Sequence, residues 1–177
     1  MLVMALEIII RDESCADVDV IGSVTAAAFA VVEVSHQTEQ FIVEALRAAG
    51  VLAVSLVAEV DGLVVGHIAF SPVEISDRAS NWYGLGPVSV LPQHQRSGIG
   101  KALILEGLAR LEALGAAGCC LVGHPEYYGR FGFQNVSGLG VQGVPDEAFF
   151  TYSFDGTFPQ GDVMFHEGFG AGAARDG

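Results

Sequence analysis

The sequence predicts an α/β fold of the mixed (α+β) kind, a sheet that holds both antiparallel and parallel strand pairs with helices packed against it. Three observations carry this expectation. First, 177 residues, 51% hydrophobic and only 16% charged, suit one domain that buries a sizeable core, and the composition excludes intrinsic disorder. Second, Asp61-Gly62 stands between two apolar runs, 53–60 and 63–70, and an Asp-Gly pair in that setting is a strong hairpin signal. Third, residues 85–91, 98–114 and 119–122 read as strand, helix, strand with short links. Such a unit is a right-handed crossover, which makes its two strands parallel. The whole chain, 1–177, is expected to form one domain with its core between about 7 and 168 and a frayed end beyond.

Taken in order, Glu7-Ile8-Ile9-Ile10 is short and β-branched, a first strand ending at Arg11–Ser14. Ser14 or Asp17 then caps a helix towards Phe29, and a second helix of about 36–49 carries Phe41, Ile42, Ala45 and Leu46 at helical spacing before Gly50 stops it. The hairpin follows, then a loop over 76–83. The helix 98–114 places Leu103, Ile104, Leu108 and Leu111 on one stripe and ends at Gly115. A short helical turn at 126–130 leads to Gly132-Phe133, and the apolar segment 163–165 suggests a last strand.

Charge narrows the partners. Eight basic residues against 21 acidic ones leave a net charge of −13, a field that repels phosphate backbones and anionic membranes, so nucleic acid and membrane surfaces are not expected. The acid is uneven. Residues 1–77 hold twelve Asp/Glu against Arg11 and Arg47, whereas 78–105 hold Arg78, Arg96 and Lys101 with no acid at all. That window is where an anionic ligand is expected. An odd count of three cysteines, two of them adjacent, points to a reducing compartment. The N-terminus lacks a basic region before Glu7, and the longest uncharged apolar run, 20–32, is 13 residues, short of the roughly 20 a bilayer demands. A cytoplasmic protein is the expectation. The five histidines show no HxH or HxxxH spacing, so no metal is expected.

The chemistry concentrates in Gln95-Arg96-Ser97-Gly98-Ile99-Gly100-Lys101, where a loop leaves a strand and opens a helix. Gly98 and Gly100 admit a ligand close to the backbone. The unpaired N–H groups of the helix N-terminus, with the positive end of its dipole, make an anion cradle. Arg96 and Lys101 add charge, and no carboxylate competes before Glu106. A dinucleotide loop would need glycine where Leu103 stands. A Walker A loop would need glycine at Gln95 and Ser or Thr at Ala102.

On these residues the sequence resembles the GNAT superfamily of N-acetyltransferases, whose acetyl-CoA signature Gln/Arg-x-x-Gly-x-Gly/Ala is matched by Gln95–Gly100. Gly86-Pro87-Val88-Ser89-Val90-Leu91-Pro92 is similar to the family's strand end before that signature, and Tyr128-Gly129-Arg130-Phe131-Gly132-Phe133 to its Tyr-x-x-x-Gly-Phe segment. His124–Tyr128 resembles a subgroup of bacterial acetyltransferases. The resemblance spans about 7–168 and is strongest over 84–133. It implies a mixed sheet splayed between its two central parallel strands, with acetyl-CoA in the gap. Backbone groups of Val88, Ser89 and Val90 would pair with the pantetheine arm, and Gln95, Arg96, Ser97, Gly98, Ile99, Gly100 and Lys101 would hold the pyrophosphate. A backbone N–H near Val88 would stabilise the oxyanion, and Tyr128 resembles the general acid that protonates the leaving thiolate, a role for which Tyr127 competes. Dimers are common among proteins resembling this family, so a homodimer is a further expectation.

The acceptor is expected to be an amine of a small molecule or peptide, with Glu33, His36, Glu39, Glu59 and Glu74 as candidates to bind it or take its proton. Glu39 is similar to the acid that opens the second helix in the subgroup; it is equally a capping-box or first-turn acid. Trp82 and Tyr83 either line a substrate pocket or pack. Cys119 and Cys120 alternate on a strand read as buried, where cysteine behaves as a small hydrophobe. The rival functional readings are a non-catalytic acyl-CoA sensor and a transferase of longer acyl groups.

Overall fold

The computed structural model describes residues 5–32 and 35–172. The chain runs through β1 (Ile9–Asp12), a 3-10 turn at Cys15–Asp17, α1 (Val18–Phe29), α2 (Glu39–Ala48), β2 (Val54–Val60), β3 (Leu63–Pro72), β4 (Glu74–Ile75) and β5 (Trp82–Val90). There follow α3 (Ile99–Ala113), β6 (Gly118–Val122), α4 (Pro125–Tyr128), β7 (Leu139–Gly140), β8 (Phe149–Ser153), β9 (Gly161–Met164) and a 3-10 turn at Glu167–Gly170. The main sheet has the order β1-β2-β3-β5-β6-β8, and β4-β9-β7 form a second, smaller sheet. Within the main sheet only β5 and β6 run parallel, as the strand-helix-strand reading requires.

Alternation along β2 assigns the faces. Leu56 and Ala58 join the large core with Ile99, Leu103, Ile104 and Leu111 of α3, while Val57 between them packs with Ile21 of α1 and Val43 of α2. Helix α3 therefore covers one face, and α1 and α2 the other. Leu103, Ile104 and Leu111 are fully buried, each contributing about 1.5–3 kcal/mol by the area it removes from water. The approach of α3 is close because Gly107 has no side chain. A Cβ there would stand 2.6 Å from Cζ of Phe70.

The feature that positions the site is a bulge in β5. Ile68 of β3 pairs with Val88 but Phe70 pairs with Leu85, so β5 spends one more residue than its partner around Gly86-Pro87. An extra residue bends its strand, and Pro87 has no N–H to continue a ladder. Pairing between β5 and β6 accordingly covers only Trp82↔Gly118, Tyr83↔Cys119 and Gly84↔Cys120. Beyond Gly84 the two strands part, and a gap opens.

Several boundaries differ from the sequence reading. The strand read as 85–91 begins at Trp82, so Trp82 and Tyr83 lie within it rather than before it. The strand β8 was not anticipated, and the segment read as a last strand overlaps β9, the last strand of the described chain and the middle one of the second sheet. The end expected to fray is placed as far as Gly172: Gly168 is buried against Leu46, and Phe169 stacks on Phe165 with centroids 5.1 Å apart.

Candidate functional site

The mouth of the gap lies where β5 runs into α3. Gln95 donates from Nε2 to the Val90 carbonyl at 3.1 Å, tying the loop back onto its strand. Ser97 donates its hydroxyl to the His94 carbonyl, closing the turn on itself. Arg96 sits at φ 62° and Gly98 at φ 87°, two left-handed residues in three that turn the chain abruptly into the helix. Nothing lies within 4 Å of a Cβ built on Gly98. Space does not demand a glycine there; the left-handed backbone angle favours one.

The first helical bond there is Ala102 N–H to the Gly98 carbonyl, at 3.0 Å. The N–H groups of Ile99, Gly100 and Lys101 precede it and have no helical acceptor. With no acid in the first turn and no side-chain cap, the dipole's positive end is unopposed. Ile99 is buried and anchors this turn in the core, while the Arg96 and Lys101 side chains are exposed beside it. The turn from Gln95 to Lys101 thus sets three N–H groups without helical acceptors beside two exposed cations, an arrangement chemically able to hold an anion.

Val88 and Val90 line the cleft behind it, facing Tyr127 and Tyr128 of α4 across about 260 Å³. Ser89 points the opposite way: it is buried and donates its hydroxyl to Thr25 of α1 at 3.2 Å, so only its backbone is available to the gap. Tyr128 is set into an aromatic cluster with Phe133 and Phe150, at centroid distances of 6.1 and 6.3 Å. Burial pushes its phenol up to about 12, with the neighbouring Tyr127 adding to the rise. It is a donor at every neutral pH. Tyr127 meets it edge-on at 5.0 Å and is half-buried. Burial raises the Tyr127 phenol too, against the opposing charge of Arg130, whose guanidinium carbon lies 5.1 Å from the ring centroid.

The acceptor-side candidates are scattered. Glu39 opens α2 and accepts from the Ser35 hydroxyl at 2.6 Å, while its Oε2 is buried without a hydrogen-bond partner among the described residues. Glu33 lies outside the described residues. His36 is exposed. Glu59 is held by Arg11 at 2.8 Å on β2, two strands from β5, and Glu74 belongs to the second sheet. Trp82 is only 4% exposed. It covers Gly118, where a Cβ would stand 2.5 Å from its Cη2. Cys119 and Cys120 are buried, and burial raises both thiols, so neither is a nucleophile.

Two features escaped the sequence reading. A row of buried polar side chains, Ser55, His67, Ser71 and Ser89, lines the sheet face under α1 and α2. His67 bonds Ser55 at 2.7 Å through Nε2, and its Nδ1 has no partner among the described residues. The second is the Tyr127 hydroxyl, which lies over Gly100. Period-2 alternation of polar residues in the hairpin was the available signal for the first; the second is a tertiary contact with none. Among the described residues no three His, Cys, Asp or Glu side chains converge on a metal position, and no helix is long and apolar enough to cross a membrane.

A mixed sheet split at a bulge, with unpaired helix N–H groups and two exposed cations at the mouth of the split, is the architecture of an α/β protein with a cleft between its two parallel strands. The model of the acetyltransferase (GNAT) domain matches residues 52–135. A GNAT family acetyltransferase from Brucella melitensis, whose structure is a complex with acetyl-CoA, is 50% identical, with a TM-score of 0.83 over 92% of this chain and 98% of that one. The GNAT family N-acetyltransferase YhbS from Escherichia coli, solved in complex with CoA, is 31% identical, with a TM-score of 0.86 over 96% and 95% of the two chains. In sequence, the uncharacterized N-acetyltransferase YhbS of Escherichia coli K12 is 38% identical over 97 residues, 54% of this chain and 58% of the relative, so the aligned segment spans little more than half of that protein. The chain belongs to the GNAT family of acetyltransferases.

Proposed function

We propose that the chain transfers an acetyl group from acetyl-CoA to an amine of a small molecule or peptide by direct attack, with no covalent enzyme intermediate. The observation that carries this reading is the anion cradle of Gly98–Lys101, set at the mouth of a strand gap that Tyr128 closes from the far side. In this reading the cradle takes the CoA pyrophosphate on backbone N–H groups, and the pantetheine arm lies along the backbone of Val88, Ser89 and Val90. A thioester carbonyl near Val88 meets a backbone N–H as its oxygen becomes an oxyanion, the largest single term in most acyl transfers.

The neutral amine attacks the carbonyl carbon, the tetrahedral intermediate collapses with cleavage of the C–S bond, and Tyr128 gives its proton to the departing thiolate. The amine's own proton leaves through a base or water, which returns the phenol to its donor form. Burial that keeps Tyr128 protonated suits it to this single task. The net charge of −10 over residues 1–77 (twelve acids against two bases) favours an acceptor that arrives as a cation. Glu33, Glu39 and Trp82 are the residues we assign to the acceptor side, with the buried Glu39 Oε2, which has no partner among the described residues, as the support for the second of them. Three cysteines, all free thiols, support a reducing, cytoplasmic setting.

The test is release of free thiol from acetyl-CoA in the presence of amines, amino acids and peptides, one at a time. Turnover with at least one amine is expected. Tight CoA binding with no turnover on any acceptor would replace this reading with that of an acyl-CoA sensor.

A further inference from the structure

The final glycine of the loop is crowded by one side chain. A Cβ built on Gly100 would stand 2.8 Å from the hydroxyl oxygen of Tyr127, and the next nearest atoms, Val90 Cγ2 and Tyr127 Cζ, are at 3.9 and 4.0 Å. The backbone of Gly100 is right-handed helix, where alanine is at home. The obstacle to a side chain at 100 is therefore the Tyr127 hydroxyl alone.

That hydroxyl is itself uncommitted. Among the described residues no hydrogen bond joins it to a protein group, while the Arg130 guanidinium lies over the ring. It is carried by a half-exposed ring that lines the same cleft as Gln95, Arg96 and Gly100. The ring is fixed on three sides, by Tyr128 at 5.0 Å, Phe131 at 5.4 Å and the Arg130 guanidinium at 5.1 Å. A rigid aromatic thus holds a free O–H donor over the turn whose N–H groups lack acceptors.

We propose that Tyr127 is a ligand of the CoA pyrophosphate: its hydroxyl donates to a phosphate oxygen seated on the N–H groups of α3, and Gly100 lacks a side chain to make room for it. This rests on the CoA-cradle reading above. It also divides the adjacent tyrosines by task. Tyr128, buried and with its phenol held protonated, serves the thiolate, while Tyr127 serves the phosphates.

Affinity for CoA measured by calorimetry tests the proposal on Tyr127→Phe, Gly100→Ala and the double variant. Tyr127→Phe removes one oxygen and keeps the ring, and the loss of a hydrogen bond to an ionised group weakens CoA by roughly ten- to a hundredfold. In turnover the loss falls on KM for acetyl-CoA more than on kcat. Gly100→Ala displaces the hydroxyl and weakens CoA to a similar degree. In the double variant the alanine no longer meets an oxygen, its nearest neighbours being the atoms at 3.9 and 4.0 Å, so the second change adds nothing to the first. Dephospho-CoA, which keeps the pyrophosphate, shows the same fold-losses as CoA.

Additive losses in the double variant, unchanged CoA affinity in Tyr127→Phe, or a loss confined to kcat would each overturn the assignment. So would an effect that vanishes with dephospho-CoA, which would transfer the contact to the 3′-phosphate. Failure of the underlying reading looks different: Gly98→Glu would then bind CoA like the wild type.

Discussion

The ring of Tyr128 lies across the α-carbon of Gly123, where a Cβ would stand 2.8 Å from Cδ2. Glycine after β6 lets α4 fold back over the gap so that the phenol enters it from the side. The backbone at Gly123 is not left-handed, so its glycine makes room for the ring and for Leu121, whose Cδ1 would stand 2.9 Å from a Cβ.

Tyr128→Phe keeps the aromatic cluster and removes the proton. Turnover should fall by about 10²–10⁴-fold, the usual range for a general acid, with CoA affinity nearly unchanged. Gly123→Ala should lower turnover in the same direction by displacing the ring. Thiol release and calorimetry on the two variants check both statements, and wild-type turnover in Tyr128→Phe would remove it as the acid. Because burial holds the phenol at about 12, the pH-rate profile should climb as the amine loses its proton and show no fall between pH 8 and roughly 10, the ordinary tyrosine pKa.

Gly98→Glu inserts a side chain where φ is 87° and space outside is open. The strain costs about 1–2 kcal/mol, which leaves the fold intact. The carboxylate then sits in the seat of the phosphate, and CoA binding should disappear in calorimetry. Gly98→Ala carries the same strain without the charge and should retain measurable binding. Equal loss in both would trace the effect to the backbone rather than to the charge.

How the sequence exposed some of this and hid the rest follows from the range of the interactions. The Asp61-Gly62 hairpin, the stripe of α3 and the glycine loop are local, and each was legible. The parallel pairing of β5 and β6 was legible because a crossover helix permits nothing else. Phe149–Ser153 was missed because its apolar-polar alternation, Phe150-Thr151-Tyr152-Ser153, is only four residues long, and its identity as a strand comes from pairing with β6. The bulge at Gly86-Pro87 shows only in the register against β3. Of the proposed site, the loop and Tyr128 carry motifs that the sequence displays. The acceptor side carries none, since a buried Glu39 oxygen and an ion-paired Glu59 are identical letters until the chain folds.

His67 carries a pH signature. Burial, with the charge of Arg47, pulls its imidazole down to about 3, so the folded state holds it neutral while the unfolded chain protonates it near the reference 6.5. Its contribution to stability is complete above pH 6.5 and is lost as pH falls towards 3, with a slope of at most about 1.4 kcal/mol per pH unit for the one proton. Urea unfolding from pH 7 to 4.5 should show wild type losing stability faster than His67→Gln. Parallel curves would mean that His67 is protonated in the folded protein.

Arg11 and Asp17 give the opposite test at lower pH. Asp17 is buried and accepts from Arg11 at 2.7 and 3.0 Å, from the Ser14 N–H at 2.7 Å and from the Ser14 hydroxyl at 3.0 Å. Arg11 also reaches Glu59 at 2.8 Å, so one guanidinium ties the end of β1 to β2 and to the turn that opens α1. The Arg11 guanidinium holds the Asp17 carboxyl well below the usual carboxylate range. A depressed folded pKa stabilises the protein above the unfolded value near 4 and loses that contribution as pH falls below it. Asp17→Asn keeps the shape without the charge, and should cost about 1.5–3 kcal/mol at pH 7, the range for hydrogen bonds to charged partners. The difference between the two proteins should hold steady from pH 8 to 5 and shrink by pH 3. A gap as wide at pH 3 as at pH 7, measured by urea unfolding, would show that the carboxylate's charge plays no part and that the loss comes from the geometry of the turn.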